Sequence, residues 1–402
     1  ERGDLLGECD LIMSFLMYNA ISAMSRLHRS ASAQMSRPAI SIQISGGWTF
    51  GSPSVLMMFY RASGELQSEL TEMDECMPHY YKITNGHGQG AETIMRAEAD
   101  FMRACFADAQ IMLERAYAQI DGNGQKNMAL CCDFLAWRLS LCTSFTPRES
   151  FEQRREALLQ QHNVAWLNIL QSSCAYYYAL LGLPEKIPAV FREHQLASIH
   201  FLAPGKPMME LIENQVYLAQ GEYAKVIGHS EALLGMCEAM HYALVALHIR
   251  LQTAAAYEML GKRETADELL ISALAAAEPD ALYLPFVENY RYLKTALTRG
   301  AGAKFAAFVR TVTPLGEDFV RRCGEKRAEG SRPAALAGLT ERESAIAALV
   351  AKRLSNREIA EQLFLSEGSV KQYINQIYSK LLITGDVRTK RKRLAELAAP
   401  KS

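Results

Sequence analysis

The chain has 402 residues, of which 49% are apolar and 22% charged. At roughly 100–200 residues per domain that is room for two or three domains with real cores, and no run of about 20 apolar residues suggests a transmembrane helix. Net charge is −1, but residues 339–402 hold 12 Lys/Arg against 7 Asp/Glu, while 1–338 hold 31 against 37; a basic module follows an acidic body, and an anionic partner is expected for the tail.

The chain opens Glu1-Arg2-Gly3-Asp4, with neither Met nor a basic-then-apolar leader, so residues upstream are expected. Nine cysteines occur without a Cys-x-x-Cys pair. They read as buried reduced thiols of a cytoplasmic protein rather than as a disulfide framework or zinc site.

Helical periodicity dominates from end to end, and strand-like alternation is confined to Ala39–Ser45, followed by Gly46-Gly47-Trp48. Ser52-Pro53 predicts an N-cap with Pro at the first helical position, opening a helix over Pro53–Ala62. Gly64, Gly86-His87-Gly88 and Asp121-Gly122-Asn123-Gly124 punctuate the helices that follow. Amphipathic or Ala/Leu-rich windows cover Met95–Ala118, Asn163–Leu181, Leu211–Ala219, Ala239–Leu260 and Thr265–Ala277.

A degenerate repeat runs through these windows. A small residue is followed two positions later by an aromatic and three positions beyond that by Ala in Ala104–Ala109. Gly221-Glu222-Tyr223 with Val226 repeats the frame, as do Gly261, Arg263 and Ala266 loosely, and Gly182 with Ile187. The anchors 104, 182, 221 and 261 are separated by 78, 39 and 40 residues, a period of a helical hairpin. The small residue ends one helix, the aromatic opens the next, and the small Ala, continued by Ala116 and Ala273, lets the neighbouring hairpin approach. This resembles a widened tetratricopeptide pattern, and stacked hairpins of that kind curve into a superhelix with a concave binding face. Tyr176-Tyr177-Tyr178, Trp137 and Trp166 fall at helical spacing and read as core. Residues 1–324 form this region. Glu325–Pro333, rich in charge with Gly, Ser and Pro, opens a linker over 325–338.

The last module, 339–402, carries the densest pattern. Thr340 with Glu343 and Ser355 with Glu358 form two capping boxes, and Ser366 is a third N-cap. Ile346, Leu349 and Val350 stripe the first helix; Ile359, Ala360 and Leu363 the second. In the third, Val370, Ile374, Ile377 and Leu381 lie within about 60° of one another. The opposite face presents Gly368, Lys371, Gln372, Asn375, Gln376 and Ser379, donors and acceptors of the kind that read base edges. Two short helices joined by a tight turn, the second with such a face, make a helix-turn-helix.

Leu339–Leu382 resembles the LuxR-type DNA-binding domain in L-T-x-R-E at 339–343, L-S-N-x-E-I-A at 354–360, L-F-L-S-E at 363–367, S-V-K at 369–371 and I-x-x-K-L at 377–381. The resemblance implies a four-helix module whose third helix, 367–382, enters the major groove of double-stranded DNA. It implies base readout by Lys371, Gln372 and Asn375, and phosphate or capping roles for Asn356, Ser366, Ser369 and Lys380. Lys390 and Arg391, in the basic run that opens a fourth helix over Thr389–Leu397, are expected to attract phosphates. Arg353 stands where a Gly usually closes the first helix, Tyr373 where His is common, and Leu382 where Gly follows the recognition helix.

An all-α chain of helical repeats ending in such a module resembles the MalT-like regulators. The resemblance implies a bacterial transcriptional regulator that acts as a dimer or higher oligomer on DNA, with RNA polymerase as a candidate partner. It also implies a small-molecule inducer or protein partner for the repeat region. No G-x-x-x-x-G-K-[ST], H-E-x-x-H or G-x-S-x-G occurs; no enzyme activity, metal or cofactor is expected in this chain, and an ATPase module of the MalT-like kind would lie upstream of Glu1. His79-Tyr80-Tyr81 and Asn85–Gly90 read as a helix end and loop rather than a catalytic site. The alternative function is a helical-repeat interaction scaffold with a non-specific or vestigial DNA-binding tail.

Overall fold

The computed structural model describes residues 1–42, 51–121, 125–160, 164–199, 201, 203–300, 302–330 and 338–398. Gly46-Gly47-Trp48 and Gly122-Asn123-Gly124 lie outside the described residues. Among the described residues all regular structure is helical, and two compact units form, Glu1–Cys323 and Gly324–Ser402.

The first unit comprises α1 (Arg2–Phe15), α2 (Ile21–Gln34), α3 (Val55–Phe59), α4 (Leu66–Thr84), α5 (Ala91–Met102), α6 (Phe106–Asp121), α7 (Lys126–Cys142), α8 (Phe151–Leu159) and α9 (Val164–Leu181). It continues with α10 (Ala189–Arg192), α11 (Lys206–Gln220), α12 (Tyr223–Met240), α13 (Ala243–Met259), α14 (Arg263–Ala277), α15 (Leu284–Glu288), α16 (Tyr290–Gly300) and most of α17 (Ala306–Gly330). Consecutive helices pair across short connections, and α5, α7, α9, α11 and α13 also pack each on the next to form an inner row. Burial separates the two layers. Inner α7 and α13 are buried on nearly every face. Outer α6 and α14 bury a single stripe, Ala109, Leu113, Ala116, Tyr117 and Ile120 in one, Ala266, Leu270, Ala273, Leu274 and Ala277 in the other.

The repeat anchors do one job. Ala104, Gly182, Gly221 and Gly261 all adopt positive φ, 60°, 73°, 77° and 75°. The amide after each bonds the carbonyl five residues back: Cys105 to Asp100 at 2.9 Å, Leu183 to Tyr178 at 3.0 Å, Glu222 to Tyr217 at 2.9 Å and Lys262 to Tyr257 at 2.9 Å. This is the Schellman stop, which needs a left-handed residue and so selects Gly. Phe106, Tyr223 and Arg263 then open the outer helices. After Gly182 the second helix is missing; a 3-10 turn and α10 replace it.

Two expectations are corrected. The helix predicted over Pro53–Ala62 is only α3, and its cap is Ser54 rather than Ser52: Met57 N–H donates to Ser54 Oγ at 3.2 Å. Tertiary bonds stop it early, since the Tyr60 carbonyl accepts from Ala243 N–H and its hydroxyl donates to Asp280 at 2.7 Å. Residues 325–330 of the expected linker continue α17, because Glu325-Lys326-Arg327-Ala328-Glu329 are all good helix formers; 331–337 lie outside the described residues.

The inner row does not leave an empty concave face. α3 and α15 each touch both α5 and α13, the first and last members of the row, and every residue of both short helices is buried. The row therefore curls around them. At its centre Arg138 of α7 and Glu288 of α15, each with a side chain about 1% exposed, meet at 2.8 and 3.1 Å, and Tyr176 of α9 donates to Glu288 at 2.8 Å. The guanidinium lies 4.9, 5.1 and 5.6 Å from the ring centres of Phe101, Phe134 and Tyr176. Removing one member of a buried pair strands the other charge at a cost of about 3–5 kcal/mol. Arg138→Met is expected to lower the thermal midpoint of this unit severely, and Arg138→Met with Glu288→Leu to restore much of it, as followed by circular dichroism.

Candidate nucleic-acid interface

The second unit is built from α18 (Glu341–Ala351), α19 (Asn356–Leu363), α20 (Glu367–Lys380) and α21 (Val387–Ala398). Both capping boxes are closed. Thr340 N–H donates to Glu343 at 2.7 Å and Glu343 N–H to Thr340 Oγ1 at 3.3 Å; Ser355 and Glu358 repeat the pair at 2.7 and 3.3 Å. Ile346, Val350, Ile359, Val370, Ile374, Ile377 and Leu394 are buried together as one core. Tyr378 joins them, a core position that the apolar stripe of α20 alone does not disclose.

The turn between α19 and α20 is three residues long. Phe364 is left-handed at φ 53°, and Leu365 N–H returns to the Ala360 carbonyl at 2.9 Å. Ser366 then caps α20, accepting from Ser369 N–H at 3.1 Å with the two hydroxyls 2.8 Å apart. That turn sets α20 against α19 with its Val370/Ile374/Ile377 stripe inward. Lys371, Gln372, Asn375, Gln376 and Ser379 are consequently all exposed. Among the described residues the side chains of Lys371, Gln372 and Asn375 have no partner within the protein, which leaves their donors and acceptors available. Glu367 is the acid of this helix and sits in its first turn, where it complements the helix dipole.

The other singled-out residues have internal work. Ser366 and Ser369 form the cap just described. Lys380 Nζ donates to Glu343 at 2.7 Å, tying the end of α20 to the start of α18, and this ion pair with the capping hydrogen bonds holds the Glu343 carboxyl below its ordinary range against desolvation. Arg391 donates to Asn356 Oδ1 at 2.7 Å and to the Leu354 carbonyl at 2.6 Å, so both Arg391 and Asn356 clamp α21 onto the entry of α19. Lys390 lies 5.8 Å from the ring centre of Tyr378, whereas Arg388, Lys392 and Arg393 are exposed. Arg353, Arg388, Arg391 and Lys392 line one concavity together with Glu396.

The fourth helix begins at Val387, two residues before the predicted Thr389. Asp386 is its cap, accepting from the Arg388 and Thr389 amides at 2.9 Å each and from Thr389 Oγ1 at 3.0 Å. The signal was legible in principle as an Asp three residues before a Thr. The two unusual helix-closing residues are left-handed: Arg353 at φ 64° and Leu382 at φ 51°, the backbone for which Gly is favoured.

Two capped helices joined by a tight turn, the second with a free polar face, make this unit a helix-turn-helix of four helices. Residues 337–391 match the family described as bacterial regulatory proteins, luxR family. The transcriptional regulatory protein LnrK of Bacillus subtilis (strain 168) is 41% identical over 63 residues, 15% of this chain and 29% of that protein. The DNA-binding transcriptional activator DevR/DosR of Mycobacterium tuberculosis is 39% identical over 46 residues, 11% and 21% of the respective chains. The chain thus spans less than a third of the length of these relatives. Its C-terminal unit carries a LuxR-type helix-turn-helix.

Two outcomes follow from the geometry. Leu382→Gly is expected to raise the unfolding free energy of this unit by about 1 kcal/mol, since it relieves a left-handed non-glycine and removes a side chain 85% exposed; chemical denaturation followed by Tyr fluorescence measures it. Arg391→Ala is expected to cost about 1.5–3 kcal/mol through its two charged hydrogen bonds, while Lys392→Ala leaves the same curve within error.

Proposed function

We propose that this chain is a sequence-specific DNA-binding transcriptional regulator whose helical-repeat unit senses a ligand or partner. The observation that carries the DNA-binding half is the solvent face of α20. Lys371, Gln372 and Asn375 project with unpaired polar groups from a helix whose other face is locked into the core. An α-helix fits the major groove; Gln or Asn can pair bidentately with adenine and Lys with guanine, each good contact being worth about 1–3 kcal/mol of discrimination. The names of the two relatives describe transcriptional regulators, which agrees with this role.

Phosphate attraction belongs to the exposed cations Arg388, Lys392 and Arg393, together with Lys390. Their effect is sequence-independent and acts through counterion release. Ser366 and Ser369 cap the reading helix, Lys380 ties its end to α18 and Asn356 holds α21; phosphate contacts from these four belong to the same proposal. Binding as a dimer or higher oligomer, contact with RNA polymerase and a MalT-like organisation extend the same proposal. The body carries the acidic balance of the chain and is unsuited to DNA, which fits it for sensing.

Asn375→Ala is expected to relax base preference at one operator position with the salt slope unchanged. Lys392→Ala with Arg393→Ala is expected to weaken operator and random DNA alike and to flatten the salt dependence by roughly one to two charges. Fluorescence anisotropy of the full chain on a selected operator and on random duplex, at several salt concentrations, measures both. Equal affinity of the wild-type chain for both duplexes would favour the scaffold with a non-specific tail.

A further inference from the structure

The first unit contains a cavity away from its central ion pair, walled by α1, α2, α3, α4 and the start of α7. It holds about 610 Å³ of empty space, part of it open to solvent, and its enclosed part is small, with room on the order of a few waters or one ring. Met24, Met73, Met77 and Met128 line it, together with Phe15 and Phe59. Thioethers of this kind adapt to the shape of an apolar guest.

The polar atoms of the wall are few, and their states follow from their bonds. Ser14 gives its hydroxyl proton to the Leu11 carbonyl at 2.6 Å, so it accepts from His28 Nε2 at 2.9 Å. His28 Nδ1 then accepts from the Cys76 thiol at 3.1 Å, a thiol that burial pushes up to about 11. Burial lowers His28 to about 4, with His79 adding to the effect, and lowers His87 to about 4; both rings are neutral near pH 7. His87 Nδ1 lies 2.8 Å from the Tyr80 hydroxyl. No Asp, Glu, Lys or Arg is among the described residues that line the space. One side chain of the wall keeps an unanswered acceptor: Asn127, only 2% exposed, has no hydrogen-bond partner for its Oδ1 among the described residues. A buried carbonyl without a donor is costly, and burying a charged guest here would cost more.

We infer that this cavity is a binding site for a compact, neutral, largely apolar molecule, of single-ring size, that donates one hydrogen bond to Asn127. The site deepens the sensor role proposed above and rests on it for its regulatory meaning. The loop Asn85–Gly90, with no catalytic pattern, contributes His87 and Gly88 to the wall.

Phenol, neutral with one donor, is the probe; toluene lacks the donor and benzoate carries a charge. Calorimetric titration of the full 402-residue chain is expected to show saturable phenol binding, toluene about tenfold weaker, and no benzoate binding. Asn127→Leu should reduce phenol to the level of toluene, and Met77→Trp, which fills the space, should abolish both. If one variant fails to fold, the other decides alone. Phenol binding that is absent, non-saturable or unchanged in a folded variant overturns the site, as does benzoate binding as tightly as phenol. Anisotropy with labelled duplex on the same samples separates the two claims: phenol binding without DNA binding sinks the regulator, and DNA binding without phenol binding sinks the cavity site.

Discussion

Arg138 and Glu288 stand 150 residues apart in sequence and meet at 2.8 Å in the interior of the repeat unit. An ion pair so placed is better tolerated the more of its hydrogen-bonding groups are answered and the more rigidly its surroundings are held. Tyr176 answers Glu288, and the faces of Phe101, Phe134 and Tyr176 surround the guanidinium, whose Nη1 has no hydrogen-bond partner among the described residues. α5, α7, α9 and α15 are therefore bound to one point. An open solenoid would leave its inner faces wet; here α3 and α15 fill them, and the polar pair fixes which short helix goes where.

Helix termination is the second recurring constraint. Many helix ends of the first unit turn on a left-handed residue followed by a returning amide, as at Asn85, Ala104, Gly182, Gly221, His241, Gly261 and Ala281, and the second unit uses the same device after α18, α19 and α20, at Arg353, Phe364 and Leu382. Three of the four repeat anchors are Gly there. The helix-turn-helix uses bulky residues and accepts the strain, and Phe364 and Leu382 are left 95% and 85% exposed. Tight stops keep α19 and α20 short, so that the polar face of α20 stands clear of the protein.

The division of labour within the basic C-terminal run follows from geometry rather than from charge. Arg391 is spent on Asn356 and the Leu354 carbonyl, and Lys380 on Glu343, whereas Arg388, Lys392 and Arg393 face solvent. Cations that are adjacent in sequence thus differ between clamp and solvent-facing charge because helical rotation turns them to different sides.

Much was determined by sequence alone: the all-helical class, the hairpin stops at Gly182, Gly221 and Gly261, both capping boxes, and the inward stripe of α20 with Lys371, Gln372 and Asn375 opposite it. All of these are set within one or two helical turns, where residue type acts directly on the backbone. The tertiary structure alone decided that α3 stops at Phe59, that α3 and α15 fill the inner face, that Arg391 grips Asn356, and that Met24, Met77, His87 and Asn127 share one cavity. Each depends on groups brought together from distant segments, and the sequence of α7, buried on every described face, carries no mark of which neighbour any of its faces will meet.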